Sequence, residues 1–128
     1  MHVGQPHFYY ARYLDLLEAA RGEFFRHLGM PLLHWQEAGV IFPVIECRLR
    51  YRAPARYDDE LNVEVWLTEI QRVRQTFGYR IVNQSGREIL EATTIHACTS
   101  LDEKPKRLPE ELERRLRAYL HAPVNTTL

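Results

Sequence analysis

The chain is short of cysteine, of net charge and of long apolar runs, and each shortage excludes a class of protein. Cysteine occurs only twice in 128 residues, at Cys47 and Cys98, without C-x-x-C spacing. Two separated thiols exclude a disulfide framework and read as reduced, buried side chains on strands. Lys plus Arg and Asp plus Glu number 17 each, so the net charge is zero. A general nucleic-acid binder would show a basic excess, so no nucleic-acid partner is expected. No apolar run approaches the roughly 18 residues of a membrane span. The first residues lack the basic-then-apolar profile of a secretory signal, and the expectation is a cytoplasmic protein. No repeat, low-complexity tract or linker divides the chain, so residues 1–128 are expected to form one domain.

What is present is apolar periodicity of two kinds. From Tyr10 to Leu28 the apolar residues include Tyr10, Tyr13, Leu14, Leu17, Ala20, Phe24, Phe25 and Leu28. That spacing predicts a helix with an apolar face over more than half its circumference, so something should wrap it. Gly29, followed by Met-Pro, is a stop signal. Pro31 to Ala38 is expected to add a turn or two.

Strand patterns follow. In "IECRLRYR", Ile45, Cys47, Leu49 and Tyr51 alternate with Glu46, Arg48, Arg50 and Arg52. This predicts a strand with one buried and one polar face. "LNVEVWLTEI" alternates again, "TFGYRIVN" follows, and "QSG" at 84–86 reads as a hairpin turn. "REILEATTIHACTS" is a last long strand rich in β-branched residues. After the basic loop "EKPKR", Leu108 to Leu120 reads as a terminal helix with Pro109 in its first turn. A long helix, four strands and a short helix define an α+β fold with an antiparallel sheet. Such a sheet has edges to manage, so a homodimer or homotetramer is expected.

Taken together and in order, "FYYARYLDLLEAARGEFFRHLG", "FPVIECRLRYRAPARYDDELNVEV", "RIVN" and "KPKRLPEEL" resemble the hotdog-fold acyl-CoA thioesterases, in the 4-hydroxybenzoyl-CoA and Tol–Pal-cluster branch. The likeness runs from about Pro6 to Leu116. It implies an antiparallel sheet wrapped around the long helix, dimers joined edge to edge, an acyl-CoA substrate, hydrolysis of the thioester and no cofactor. The family pattern Asp-x-x-Gly-x-Val-x-x-Ala-x-Tyr-Leu aligns without gaps on Ala11, Tyr13 and Leu14. Phe8 then falls on the valine, Pro6 on the glycine and Val3 on the catalytic aspartate. The family also has a strand before that aspartate, and only five residues precede Pro6 here. Two explanations stay open: a chain shortened or mis-started ahead of Pro6, and a member that works without the aspartate. In the second case a protein that binds acyl-CoA or an acyl carrier without hydrolysing it is the alternative to a thioesterase.

By the same resemblance, the backbone N–H near Tyr10 would polarise the thioester carbonyl, as a helix N-terminus can. His7 and Glu18 are the candidates for the missing base. Glu18 lies eight residues past Tyr10, roughly 12 Å along a helix, and it is spaced to pair with Arg21, which points into the apolar face. Tyr9 and Tyr13 would line an acyl pocket or pack as interface and core aromatics. Arg52, Arg56, Lys104, Lys106 and Arg107 are candidates for the phosphates of CoA. Asp59 has a matching family position but reads as a turn residue. His96 reads as a satisfied, partly buried histidine. Without a second ligand pattern no metal site is expected.

Overall fold

The computed structural model describes residues 10–128, with side chains described from Arg12 onward. Helix α1 (Tyr10–His27) and the short α2 (Leu32–Glu37) come first. The strands β1 (Val44–Tyr51), β2 (Asn62–Gln71), β3 (Arg74–Val82) and β4 (Glu88–Ala97) follow, then α3 (Glu110–Ala118) and β5 (Val124–Thr127). The sheet order is β1-β4-β3-β2-β5, and every neighbouring pair is antiparallel.

The apolar periodicity of α1 is realised as burial. Tyr13, Leu16, Leu17, Ala20, Phe24, Phe25 and Leu28 are all buried. They face Val63, Val65 and Leu67 of β2, Phe77, Tyr79 and Ile81 of β3, and Leu90 and Ala92 of β4, alternate residues that share one sheet face. A helix lying on the inner face of one antiparallel sheet is the hotdog arrangement that the sequence led us to expect. The helix ends as its glycine predicts. Gly29 takes φ +77°, Met30 N–H donates to the Phe25 carbonyl at 3.1 Å, and Gly29 N–H donates to that of Arg26 at 2.9 Å. Arg115 of α3 then donates from Nη1 to the Leu28 carbonyl at 2.8 Å, tying the two helices together.

The 84–86 turn also forms as read. Gly86 takes φ +79°, and the Asn83 side chain accepts from the N–H groups of Ser85 and Arg87. On the outer face, Gly78 is required by contact rather than conformation. A Cβ there would come within 2.6 Å of the Trp66 indole, which lies across the strand.

Four expectations need correction. Among the described residues the sheet has five strands, because Val124–Thr127 pairs with β2 along Val65 to Asn62. Pro109 precedes α3 in an extended conformation instead of lying in its first turn. The apolar side of β1 is not buried: Val44, Ile45 and Tyr51 are about half exposed. Cys47 is exposed with them, whereas Cys98 is buried as expected. The last two share one cause. Among the described residues β1 is an edge strand, paired only with β4, and most core side chains of α1 are directed at the middle of the sheet, so β1's inner face is covered only in part, at Leu49 and where Tyr13 meets Tyr51.

Candidate active site

Helix α1 places the site. Its first turn starts at Tyr10 and contains no acidic residue. The leading N–H groups have no partner within the helix, and they form its positive end. No carboxylate in that turn competes for them. Tyr10, Leu14 and Glu18 succeed one another at four-residue spacing along one flank, with Arg21 three residues further on. Leu14 was expected on the apolar face, yet it is 47% exposed. It belongs to this flank. Tyr13 is buried and meets the ring of Tyr51 edge-on at 5.7 Å. Burial raises its phenol pKa, and a hydrogen bond with the Ala55 backbone opposes that shift. Tyr13 therefore holds the start of α1 against the edge strand. His7, Tyr9 and Val3 lie outside the described residues, and of Tyr10 only the backbone is described.

The pairing of Glu18 with Arg21 is formed. Arg21 Nη2 donates to Glu18 Oε1 at 2.8 Å, with the arginine buried and the glutamate side chain 63% exposed. Arg21 Nε and Nη1 are buried without a hydrogen-bond partner among the described residues. A cavity of about 260 Å³ lies alongside, lined by both residues, by Gln36 and by apolar side chains including Leu32, Val40 and Phe42. Sequence reading found the pair from its spacing. It missed Gln36 and the cavity, because nothing local links α2 and the loop after it to the middle of α1.

Behind Arg21 lies a buried polar chain. His96 Nδ1 is 3.0 Å from the Phe42 carbonyl, and Nε2 is 2.9 Å from Thr94 Oγ1. Thr94 Oγ1 in turn lies 2.7 Å from the Tyr79 hydroxyl. A carbonyl can only accept, so Nδ1 carries the proton, Nε2 accepts from Thr94, and Tyr79 donates to Thr94. His96 is thus the satisfied core histidine that the sequence suggested. Its pKa is lowered to about 4, first by burial and then by the charge of Arg21.

The basic candidates do not form one cluster. Arg52 N–H donates to the carbonyl of Ile89, whereas Lys106 N–H donates to that of Cys98. These two points are nine residues apart along one extended chain, about 30 Å. Arg52 is committed to Glu91 and Glu88, and the Glu91 hydrogen bond is the main cause of its raised pKa. Lys104, Lys106 and Arg107 are exposed in the loop before α3. Arg56 and Asp59 close a turn, in which Asp59 accepts from Arg56 N–H and from Gln84. These two bonds lower its pKa, as befits a structural carboxylate. No group of three His, Cys, Asp or Glu residues among the described residues is placed to hold a metal ion, and no described helix is long and apolar enough to cross a membrane.

A long helix held on the inner face of an antiparallel sheet, with no acidic residue in its first turn, defines a hotdog-type protein. The sequence matches the thioesterase-like superfamily over residues 5–116, and the chain belongs to that family. It is 32% identical over 105 residues to the acyl-CoA thioester hydrolase YbgC of Escherichia coli, a stretch that covers 81% of this chain and 78% of YbgC. It is 29% identical over 90 residues to YneP of Bacillus subtilis, where the match covers 70% of this chain and 65% of YneP. Among solved structures, the hypothetical protein TT1821 from Thermus thermophilus superposes with a TM-score of 0.84 at 31% identity, covering 93% of this chain and 94% of TT1821.

Proposed function

We propose that this chain hydrolyses acyl-CoA thioesters to the free acid and CoA, acting as one hotdog unit. The observation that carries this reading is the family match over 112 of the 128 residues, from 5 to 116, joined to an α1 N-terminus free of competing acids. The thioester carbonyl accepts from the backbone N–H at Tyr10, which stabilises the oxyanion as water adds to the carbon. Collapse of the tetrahedral intermediate breaks the C–S bond, and the departing sulfur takes up a proton to leave as free CoA. His7 is the candidate to take the proton from water, since Val3 stands where the family aspartate would do so. Glu18 of the same chain is about 12 Å further along the helix and is held by Arg21, so it does not reach that carbonyl. Lys104, Lys106 and Arg107 are the proposed contacts for CoA phosphates, and Tyr9 for the acyl group. The acyl-CoA thioester hydrolase named among the relatives favours hydrolysis over binding alone.

The test is release of free thiol from a panel of short-chain, long-chain and aromatic acyl-CoAs. Turnover with at least one is expected. No turnover with any of them, by protein shown to be folded, would refute the reading.

The same proposal includes a cytoplasmic homodimer built on β1. One side of this strand is unpaired among the described residues, and its apolar residues Val44, Ile45 and Tyr51 are exposed. An open, partly apolar edge invites a second strand, and a two-fold pairing of β1 with its copy would satisfy both. Sedimentation equilibrium should show a dimer, or a tetramer built from it, that Ile45→Lys weakens. A wild-type monomer at micromolar concentration would dispose of this part.

A further inference from the structure

Arg21 is the feature that the hydrolytic reading leaves unused. The residue is 4% exposed, and its guanidinium has one hydrogen bond, to Glu18, while Nε and Nη1 have none among the described residues. The Phe25 ring, 6.0 Å from the guanidinium carbon, adds only a weak cation–π contact. A buried cation so thinly partnered is costly. Its position is therefore informative. It lines the 260 Å³ cavity, whose other described walls are apolar except for Glu18 and Gln36. The cavity lies on the same flank of α1 as Tyr10, between 12 and 16 Å from it as roughly counted from the helical rise. The exposed Leu14 lies on that flank between them.

We infer that this cavity receives the far end of the acyl group, and that this end carries a carboxylate. The substrate class is then the monothioester of a medium-chain dicarboxylic acid with CoA. The inference rests on the thioesterase reading and names the substrate of that same site. Glu18 is mostly solvent-exposed, and its carboxylate occupies the place on Nη2 that a ligand carboxylate would take. Displacing it returns a charged group to water at little cost. The incoming carboxylate gains a charge-assisted hydrogen bond from a buried guanidinium at the floor of an open, mostly apolar recess, which strengthens it relative to one made in bulk water. A methyl-terminated chain offers Arg21 no acceptor, and a hydroxyl accepts a hydrogen bond without bringing the opposite charge.

The experiment compares kcat/KM for carboxylate-, hydroxyl- and methyl-terminated acyl-CoAs of equal, medium chain length. The wild-type protein should favour the carboxylate by about tenfold or more, mainly through KM. Arg21→Met should collapse that ratio. Glu18→Gln, which loosens the competing partner, should widen it. Hydrolysis of all three without preference, preference for the hydroxyl, or a ratio unchanged in Arg21→Met would each overturn the inference. A binding arm separates this outcome from failure of the hydrolytic reading and needs no turnover. The monoamide of a medium-chain dicarboxylic acid is titrated calorimetrically into the protein against the corresponding fatty amide. Tighter binding of the acid-bearing amide to wild type, lost in Arg21→Met, supports the inference whether or not any thioester is cleaved. Equal binding of the two amides overturns it.

Discussion

Phe24→Ala is expected to cost about 3–5 kcal/mol of folding stability, the largest loss anticipated for a single side chain here. Phe24 is fully buried on α1. Its ring meets Phe77 of β3 at 5.3 Å, Phe25 at 6.1 Å and Tyr119, just past α3, at 6.4 Å, each edge-on. One side chain thus joins the helix, the central sheet and the end of α3. Its removal loses the transfer free energy of the ring and leaves a cavity bounded by three elements that cannot all collapse into it. Against a total of about 5–15 kcal/mol for a domain, the midpoint of thermal unfolding should fall by roughly 10–20 °C. If the variant does not accumulate as folded protein, Phe24→Leu provides the graded measurement, since the branched side chain fills part of the space. Urea unfolding of wild type and both variants decides the matter. A loss below about 1 kcal/mol for the alanine variant would show that Phe24 is not where the helix, sheet and α3 are joined.

That prediction draws on the part of the molecule the sequence displays best. Phe24 belongs to a 3.6-residue pattern, and Phe77 to an alternating one. Both patterns exist because each residue faces the same shared core. Legibility fails where an element's environment is set by something distant. The alternation in β1 is as clean as that in β2, yet only β2 lies under α1. The pattern gives the two faces of β1 without saying how little of the inner one the described residues cover. β5 is four residues of "VNTT", too short to alternate, and it is a strand only because β2 has a free edge beside it. In the candidate site, the Glu18–Arg21 pair follows from spacing on one helix. The cavity beside it needs a loop some 20 residues away, from Val40 to Pro43, which no local signal connects to Arg21. The base for hydrolysis depends on residues before Tyr10, where the family pattern and this sequence part at Val3.

His96 should make the fold sensitive to mild acid. The proton on Nδ1 is fixed by the Phe42 carbonyl, and Nε2 accepts from Thr94, which itself accepts from Tyr79. A second proton, on Nε2, would break the bond from Thr94 and place a cation close to Arg21 in the core. Both effects disfavour the charged ring, in keeping with a pKa lowered from 6.5 to about 4 by burial and then by Arg21. The sign follows from proton binding. Between those two values the unfolded chain holds more protons at this residue than the folded one, so stability rises with pH. The contribution is fully present above pH 6.5 and is lost as pH falls towards 4, on the order of 3 kcal/mol in all. His96→Gln keeps a donor and an acceptor but cannot titrate. It should be the less stable protein at neutral pH, because the bond geometry is poorer, and its stability should fall more gently across the same window. Carboxylates held below their ordinary pKa, Asp59 and Glu91 among them, contribute to both proteins and cancel in the comparison. Urea unfolding free energies measured across this range for the two proteins provide the check. Parallel pH dependences would mean that His96 titrates no differently in the folded and unfolded chains, and the buried Tyr79–Thr94–His96 chain would then not be the acid-labile part of the core.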